Sequence, residues 1–155
     1  MAGSSTVSQV FYFDLADPAA YLEAERLRAE DPAVEWVPVL APPVFRCAEE
    51  VASLREDVER GAQALGLQPV RWPEPFPFDS ETAMLAATYA KQIGRAVAFS
   101  LAAFRQAYAA GRSLADIDNV LIAAAACEMH PRAVLKAIES RGVREALEQA
   151  TRQAA

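Results

Sequence analysis

Val10-Phe11-Tyr12-Phe13-Asp14-Leu15-Ala16-Asp17-Pro18-Ala19-Ala20-Tyr21-Leu22 decides how this chain is read. Val10 to Leu15 is a short aromatic and β-branched run, the composition of a strand. Asp17-Pro18 then predicts a helix start. The aspartate side chain can accept from the free N–H groups of the first turn, and proline suits the first helical position. Ala20, Ala24 and Leu27 recur at i, i+4, i+7, with Glu23, Arg26 and Glu30 turned elsewhere, so one face is expected to be buried. Asp31-Pro32 ends this helix. Val34-Glu35-Trp36-Val37-Pro38-Val39-Leu40 is the second strand candidate, with Pro38 confining it to an edge or a strand end. Strand, helix, strand at this spacing predicts a βαβ unit with two parallel strands.

Beyond Pro42-Pro43 the period becomes helical. Val51, Leu54, Val58 and Leu65 predict a helix over about 47–65, stopped by Gly66. A proline-rich aromatic loop follows, Pro69 to Phe78, and Asp79 or Ser80 caps the next helix. Val97, Leu101, Phe104 and Tyr108 are read as one face of another helix, ended by Gly111. Asp116 caps a further helix carrying Val120, Ala124 and Cys127. His130-Pro131 opens a short one with Val134, Leu135 and Ile138, and Gly142 separates it from a last helix through Val143, Ala146, Leu147 and Ala150. No repeat recurs at a solenoid period.

The chain has 155 residues, 53% hydrophobic and 23% charged, with net charge −6. A domain of this length buries roughly 70% of the surface its unfolded chain exposes. One histidine and two cysteines argue against a histidine-rich metal or catalytic cluster and against a disulfide framework. The acidic balance argues against nucleic acid. No apolar stretch approaches the roughly 18 residues of a spanning helix, and the polar N-terminus lacks the basic and apolar regions of an export signal. A cytoplasmic protein without membrane association is therefore expected. Cys47 and Cys127 form no C-x-x-C pair and are expected as small buried apolar residues.

Phe11 to Leu22 resembles the opening of the DsbA-like thioredoxin-fold proteins, and within them the 2-hydroxychromene-2-carboxylate isomerases and kappa-class glutathione transferases, whose opening reads approximately F-Y-F-D-x-x-S-P-x-x-Y-L. Leu65-Gly66-Leu67, Phe76-Pro77-Phe78-Asp79, Ala98-Phe99, Phe104, Gly111-Arg112 and Val120-Leu121 fall in the order of that family's inserted helical domain. The resemblance implies an α/β, mostly helical fold: a truncated thioredoxin-like (DsbA-type) βαβ unit with an inserted helical domain, lacking the C-terminal β-hairpin and last helix. It divides the chain into a disordered tail over 1–9, a thioredoxin-like part over 10–46 and a helical domain over 47–155. It also implies glutathione as the cofactor.

The departures from that pattern bear on function. Where the isomerases and transferases carry a serine that stabilises the glutathione thiolate, and the redox branch the first cysteine of C-P-x-C, this chain carries Asp17. With no thiol at Asp17 or Ala20, dithiol–disulfide exchange through this motif is excluded. A carboxylate near a pKa of about 3.9 is expected to be anionic, more so at a helix N-terminus. A thiolate about 4 Å away would meet roughly 4 kcal/mol of repulsion at an effective dielectric near 20, against about 0.3–1 kcal/mol from the helix dipole. Asp17 is thus read either as an ordinary helix cap or as a catalytic general base without an evident partner. The linker asparagine and lysine and the cis-proline segment of the family are also missing, and Arg46 is the candidate replacement for a carboxylate contact.

Trp72, Phe76 and Phe78 are candidate ligand-binding residues beside Pro18, with a plug of the core as the competing reading. His130 is read as a cap. Phe99, Phe104 and Tyr108 are read as core. No metal site is expected. The missing strands predict an unpaired edge on Val10 to Leu15, and edges of that kind recruit partners. A homodimer pairing two such edges is the expected assembly, with a second polypeptide supplying the missing strands as the alternative. Two functions follow: a dimeric binding scaffold that has lost its chemistry, or a glutathione-dependent isomerase or transferase acting on a small aromatic substrate through a modified site at Asp17.

Overall fold

A parallel strand pair and the helix joining it open the chain, as the alternation of aromatic and β-branched residues predicts. The computed structural model describes residues 9–27, 33–41 and 47–155. Strand β1 (Val10–Phe13) pairs in parallel with β2 (Glu35–Pro38), in a register that sets Phe11 beside Trp36 and Phe13 beside Pro38. Helix α1 (Pro18–Leu27) lies between them. Both strands are shorter than the apolar runs that suggested them. Asp14 turns the chain into the helix start through Asp17 N–H to its carbonyl, and Pro38, which has no N–H to donate, is the last residue of β2.

Six further helices follow among the described residues: α2 (Ala48–Ala64), α3 (Glu81–Gln92), α4 (Ala96–Tyr108), α5 (Ile117–Ala126), α6 (Pro131–Ile138) and α7 (Arg141–Ala154). One buried cluster unites them with the strands. Phe13 and Trp36 from the sheet meet Tyr21 of α1, Met84 and Leu85 of α3, Phe99 and Phe104 of α4, and Val143 and Leu147 of α7. Phe13, Tyr21, Phe104 and Tyr108 form a run of tilted ring contacts 5.5–6.5 Å apart, a geometry favoured by aromatic quadrupoles. Helix α2 approaches α1 closely at Gly61, where an added Cβ would meet Leu22 Cδ1.

The capping residues behave largely as the sequence suggests. The Asp116 carboxylate accepts from Asp118 N–H, and His130 Nδ1 accepts from Arg132 N–H. Of the two caps offered for α3, Asp79 accepts from Glu81 N–H, while the Ser80 hydroxyl at the cap position is turned inward. Three expectations are corrected. Gly142 lies inside α7, whose cap is Ser140, accepting from Val143 N–H. Val97 and Leu135 are exposed: α4 turns Phe99, Ala103 and Ala107 inward beside Phe104, and α6 turns Val134 and Ala137 inward. Cys47 is exposed at the extended residue before α2, and Cys127 is half-buried at the end of α5, so neither is a core residue.

Gly66 adopts φ 74°, and Leu67 N–H returns to the carbonyl of Ala62, closing α2 as expected. The loop to α3 contains cis peptide bonds at Glu74–Pro75 and Phe76–Pro77. Tail residues 1–8, Asp31-Pro32, Pro42-Pro43 and Arg46 lie outside the described residues. Among the described residues no helix is long and apolar enough to cross a membrane.

Candidate functional site

The start of α1 gathers most of the residues singled out from the sequence. Asp17 accepts from Ala19 N–H through its carboxyl at 2.9 Å, and its carbonyl accepts from Ala20 N–H at 3.1 Å, so it caps the helix. Pro18 is buried at the first helical position. Burial pushes the Asp17 carboxyl above its ordinary value; the N–H groups of Ala19 and Ala20 oppose this, and the Asp14 carboxylate adds to it. That reverses the direction expected from the helix N-terminus. Two N–H bonds and a partial dipole do not repay the hydration a carboxylate loses here.

Asp14, three residues earlier, is a residue the sequence reading passed over. It is only 5% exposed, yet its carboxyl is fully engaged. Oδ1 accepts from Ala16 N–H at 2.9 Å and from the Ser80 hydroxyl at 2.6 Å, while Oδ2 accepts from Ala41 N–H at 3.0 Å. One side chain thus ties the end of β1 to the segment after β2 and to the start of α3. Burial raises its pKa, with the three hydrogen bonds opposing and Asp79 adding. The available signal was a charged residue directly following an apolar strand. Nothing local pairs it with Ser80, 66 positions away.

Tyr108 lies at the centre. Its hydroxyl donates to the Leu15 carbonyl at 2.9 Å, and Leu15 N–H donates to Met84 Sδ. Burial holds the phenol well above its ordinary pKa, with the Asp17 and Asp14 carboxylates adding to the effect. Trp72 meets the Tyr108 ring edge-on at 6.0 Å, and Phe76 and Phe78 each stand 6.4 Å from it. The loop trio therefore converges on the tyrosine that faces the α1 start. Phe78 is core; Trp72 and Phe76 are half-buried and meet at 4.9 Å with their rings tilted by 57°. Phe78 is enclosed as the plug reading expects, and Trp72 and Phe76 form a half-buried aromatic wall.

Arg55 of α2 completes the wall, with its guanidinium carbon 5.1 Å from the Trp72 ring and 5.5 Å from that of Phe76. Among the described residues, Arg55 Nε and Trp72 Nε1 are buried without an acceptor. Among the described residues no group of histidine, cysteine, aspartate and glutamate side chains is arranged to hold a metal ion.

A glutathione thiolate, implied by the resemblance, would need free donors at the start of α1. The first-turn N–H of Ala19 is already taken by the Asp17 carboxyl, and Asp14 places a second acid nearby. No hydroxyl stands at position 17 to stabilise a thiolate. The donor set does not fit a glutathione thiolate.

The sequence profile of the DSBA-like thioredoxin domain matches residues 10–155. No curated protein matches the chain by sequence. Among solved structures, a 2-hydroxychromene-2-carboxylate isomerase superposes with a TM-score of 0.80 at 19% identity, over 94% of this chain and 77% of its own. A candidate protein disulfide isomerase from Nitrosomonas europaea gives 0.75 at 16% identity, over 93% and 76%. A candidate DsbA oxidoreductase from Streptomyces coelicolor gives 0.64 at 21%, over 94% and 75%. At these identities the likeness is one of fold.

Proposed function

Because the chain belongs to the DSBA-like thioredoxin domain family, we propose that it is a member without thiol chemistry, a binding scaffold that receives a small aromatic ligand at the start of α1. The observation that carries this is Asp17. Its carboxyl caps the helix at the position where the family's thiol chemistry needs a cysteine or serine. The half-buried wall of Trp72 and Phe76 beside Tyr108 supplies apolar, stackable surface for a flat ligand.

The scaffold works as a homodimer. In β1, Gln9 and Phe13 carbonyls accept from Glu35 and Val39 N–H, so the alternate backbone groups, those of Val10 and Tyr12, point to the opposite edge. Among the described residues no third strand covers that edge, and the Val10 and Tyr12 side chains are 39% and 43% exposed. A second copy offers the same edge and pairs with it antiparallel about a two-fold. The free thiol of Cys47 at the surface supports a reducing, cytoplasmic setting.

The test combines three measurements on the native protein. Insulin reduction should be at background, and calorimetric titration with reduced glutathione should show no binding. Light scattering should give a dimer at micromolar concentration. Disulfide reduction above background would overturn the loss of thiol chemistry, and a stable monomer would overturn the assembly. The raised pKa of Asp17 favours one second reading, a general acid–base enzyme acting on an aromatic substrate. In its glutathione-dependent form, as an isomerase or transferase, this reading requires glutathione binding by the native protein. Binding only after Asp17→Ser would trace the loss to the single carboxylate.

A further inference from the structure

Helix α2 is attached to the molecule unlike the others. At 17 residues it is the longest helix described, yet it places no side chain in the buried cluster that every other helix enters. Helices in folded proteins owe most of their stability to an apolar face packed in a core. Among the described residues of α2, only Val58 and Ala62 are fully enclosed. The helix meets α1, where Gly61 lies so close to Leu22 that an added Cβ would overlap Leu22 Cδ1. Its second hold is Arg55, whose guanidinium lies over the Trp72 and Phe76 rings.

The chain is pinned on both sides of this helix. Ala41 N–H donates to Asp14 Oδ2, and Arg71 N–H donates to the Tyr108 carbonyl at 2.8 Å. Leu67 and Val70 already pack against the core. Between them and α2 stands Gly66, left-handed at φ 74°, with open space where a Cβ would be. Such a residue turns with little steric resistance. The seated arrangement also carries an opposing term. Arg55 Nε and Trp72 Nε1 are buried without an acceptor, and water satisfies both once the helix lifts. A thin apolar seam set against two unpaired donors makes two arrangements close in free energy. We infer that α2 is a hinged cover over the Trp72–Phe76 wall, latched by Arg55, which lifts from α1 while the core stays folded. This deepens the ligand reading given above, whose wall it closes, and rests on it.

The experiment is thiol labelling of the full chain, with Cys47→Ser and Cys127→Ala removing the native thiols. Val58→Cys and Ala62→Cys place reporters in the seam, and Ala103→Cys places one in the core of α4, where the alanine is wholly enclosed. Methyl methanethiosulfonate reacts with each thiol only when it is uncovered, and mass spectrometry follows the rate. Both seam thiols are expected to react at least ~100-fold faster than the core thiol, because a local opening is far less costly than global unfolding. Their rates should also rise less steeply with sub-denaturing urea, since little surface is exposed. Adding Arg55→Met should speed both seam thiols and leave the core thiol unchanged. Either seam reporter serves alone if the other variant fails to fold, and Ala87→Cys of α3 replaces Ala103→Cys likewise. Seam and core thiols that react at one rate overturn the cover, as does a seam rate insensitive to Arg55→Met. A fast Val58→Cys beside a slow Ala62→Cys shows fraying and overturns it too. No ligand enters the measurement, so its result is separate from the failure or success of the ligand reading.

Discussion

Replacing Asp14 by asparagine tests the network at the end of β1. The carboxyl accepts three hydrogen bonds, from Ala16 N–H, Ala41 N–H and the Ser80 hydroxyl. An amide offers one oxygen, so in either orientation its NH2 meets at least one backbone N–H, donor against donor. Hydrogen bonds to a charged group contribute about 1.5–3 kcal/mol each, and a stranded donor costs about 1–3 kcal/mol. Relief from burying a charge offsets part of that loss, leaving an expected destabilisation of about 1.5–3 kcal/mol. At ~2–4 °C per kcal/mol for a chain of this size, Tm falls by roughly 3–12 °C. The pH dependence is the sharper readout. Because the folded-state pKa of Asp14 is raised above its ordinary 3.8, the native state holds more protons than the unfolded chain between 3.8 and the folded value. Stability contributed by this group is therefore complete below 3.8 and declines as pH rises through that window. Asparagine does not titrate, so the penalty of Asp14→Asn is largest on the acid side and shrinks toward neutrality. Urea unfolding of both proteins from below 3.8 to neutral pH, compared at constant m value, measures this. A penalty that grew with pH would show that the fold stabilises the anion and would refute the reasoning.

Three other substitutions follow from the same contacts. Tyr108→Phe removes the hydroxyl that donates to the Leu15 carbonyl; an acceptor is left in a buried setting, and thermal unfolding should register a loss of about 1–2 kcal/mol. Arg105 holds Glu25 of α1 through two hydrogen bonds at 2.7 and 2.9 Å, and the Glu25 side chain is only 6% exposed. Arg105→Ala removes both of these charge-assisted hydrogen bonds from a buried acid and should cost about 1.5–3 kcal/mol by urea unfolding, whereas Arg105→Lys should cost less. Gly111 has φ 70°, and an added Cβ would stand 3.4 Å from the Arg71 carbonyl oxygen. Gly111→Ala should therefore destabilise by about 1–2 kcal/mol in the same assay, against the usual gain from replacing glycine.

The architecture is legible where the sequence speaks locally. Asp17-Pro18, Asp116 and His130-Pro131 begin helices because their side chains or rings act within one turn, and Gly66 and Gly111 end them through a left-handed backbone. Facing is less legible. Val97 and Leu135 share a helical period with buried neighbours, and only the arrangement of α5 and α6 around the core decides that they face outward. The site is legible in its aromatic part, since Trp72, Phe76 and Phe78 carry their chemistry in their composition. Its polar part is not. Asp14 and Ser80, Tyr108 and Leu15, and Arg55 and Trp72 are tertiary pairs whose partners are set by how α2, α3 and α4 close over the strands. The protonation tendency of Asp17 is likewise a property of burial, which the capping pattern does not encode.

The sulfur of Met84 accepts the N–H of Leu15 and is wholly enclosed between α3 and the end of β1. Peroxide oxidises a thioether only when it can reach it, so Met84 turns to sulfoxide at the rate at which α3 lifts from the strand. Met129, between α5 and α6, is enclosed in the same buried cluster but beneath other helices. The two methionines thus act as separate clocks read by mass spectrometry. Their relative oxidation times rank how often α3 and the α5–α6 junction each open, without any introduced label.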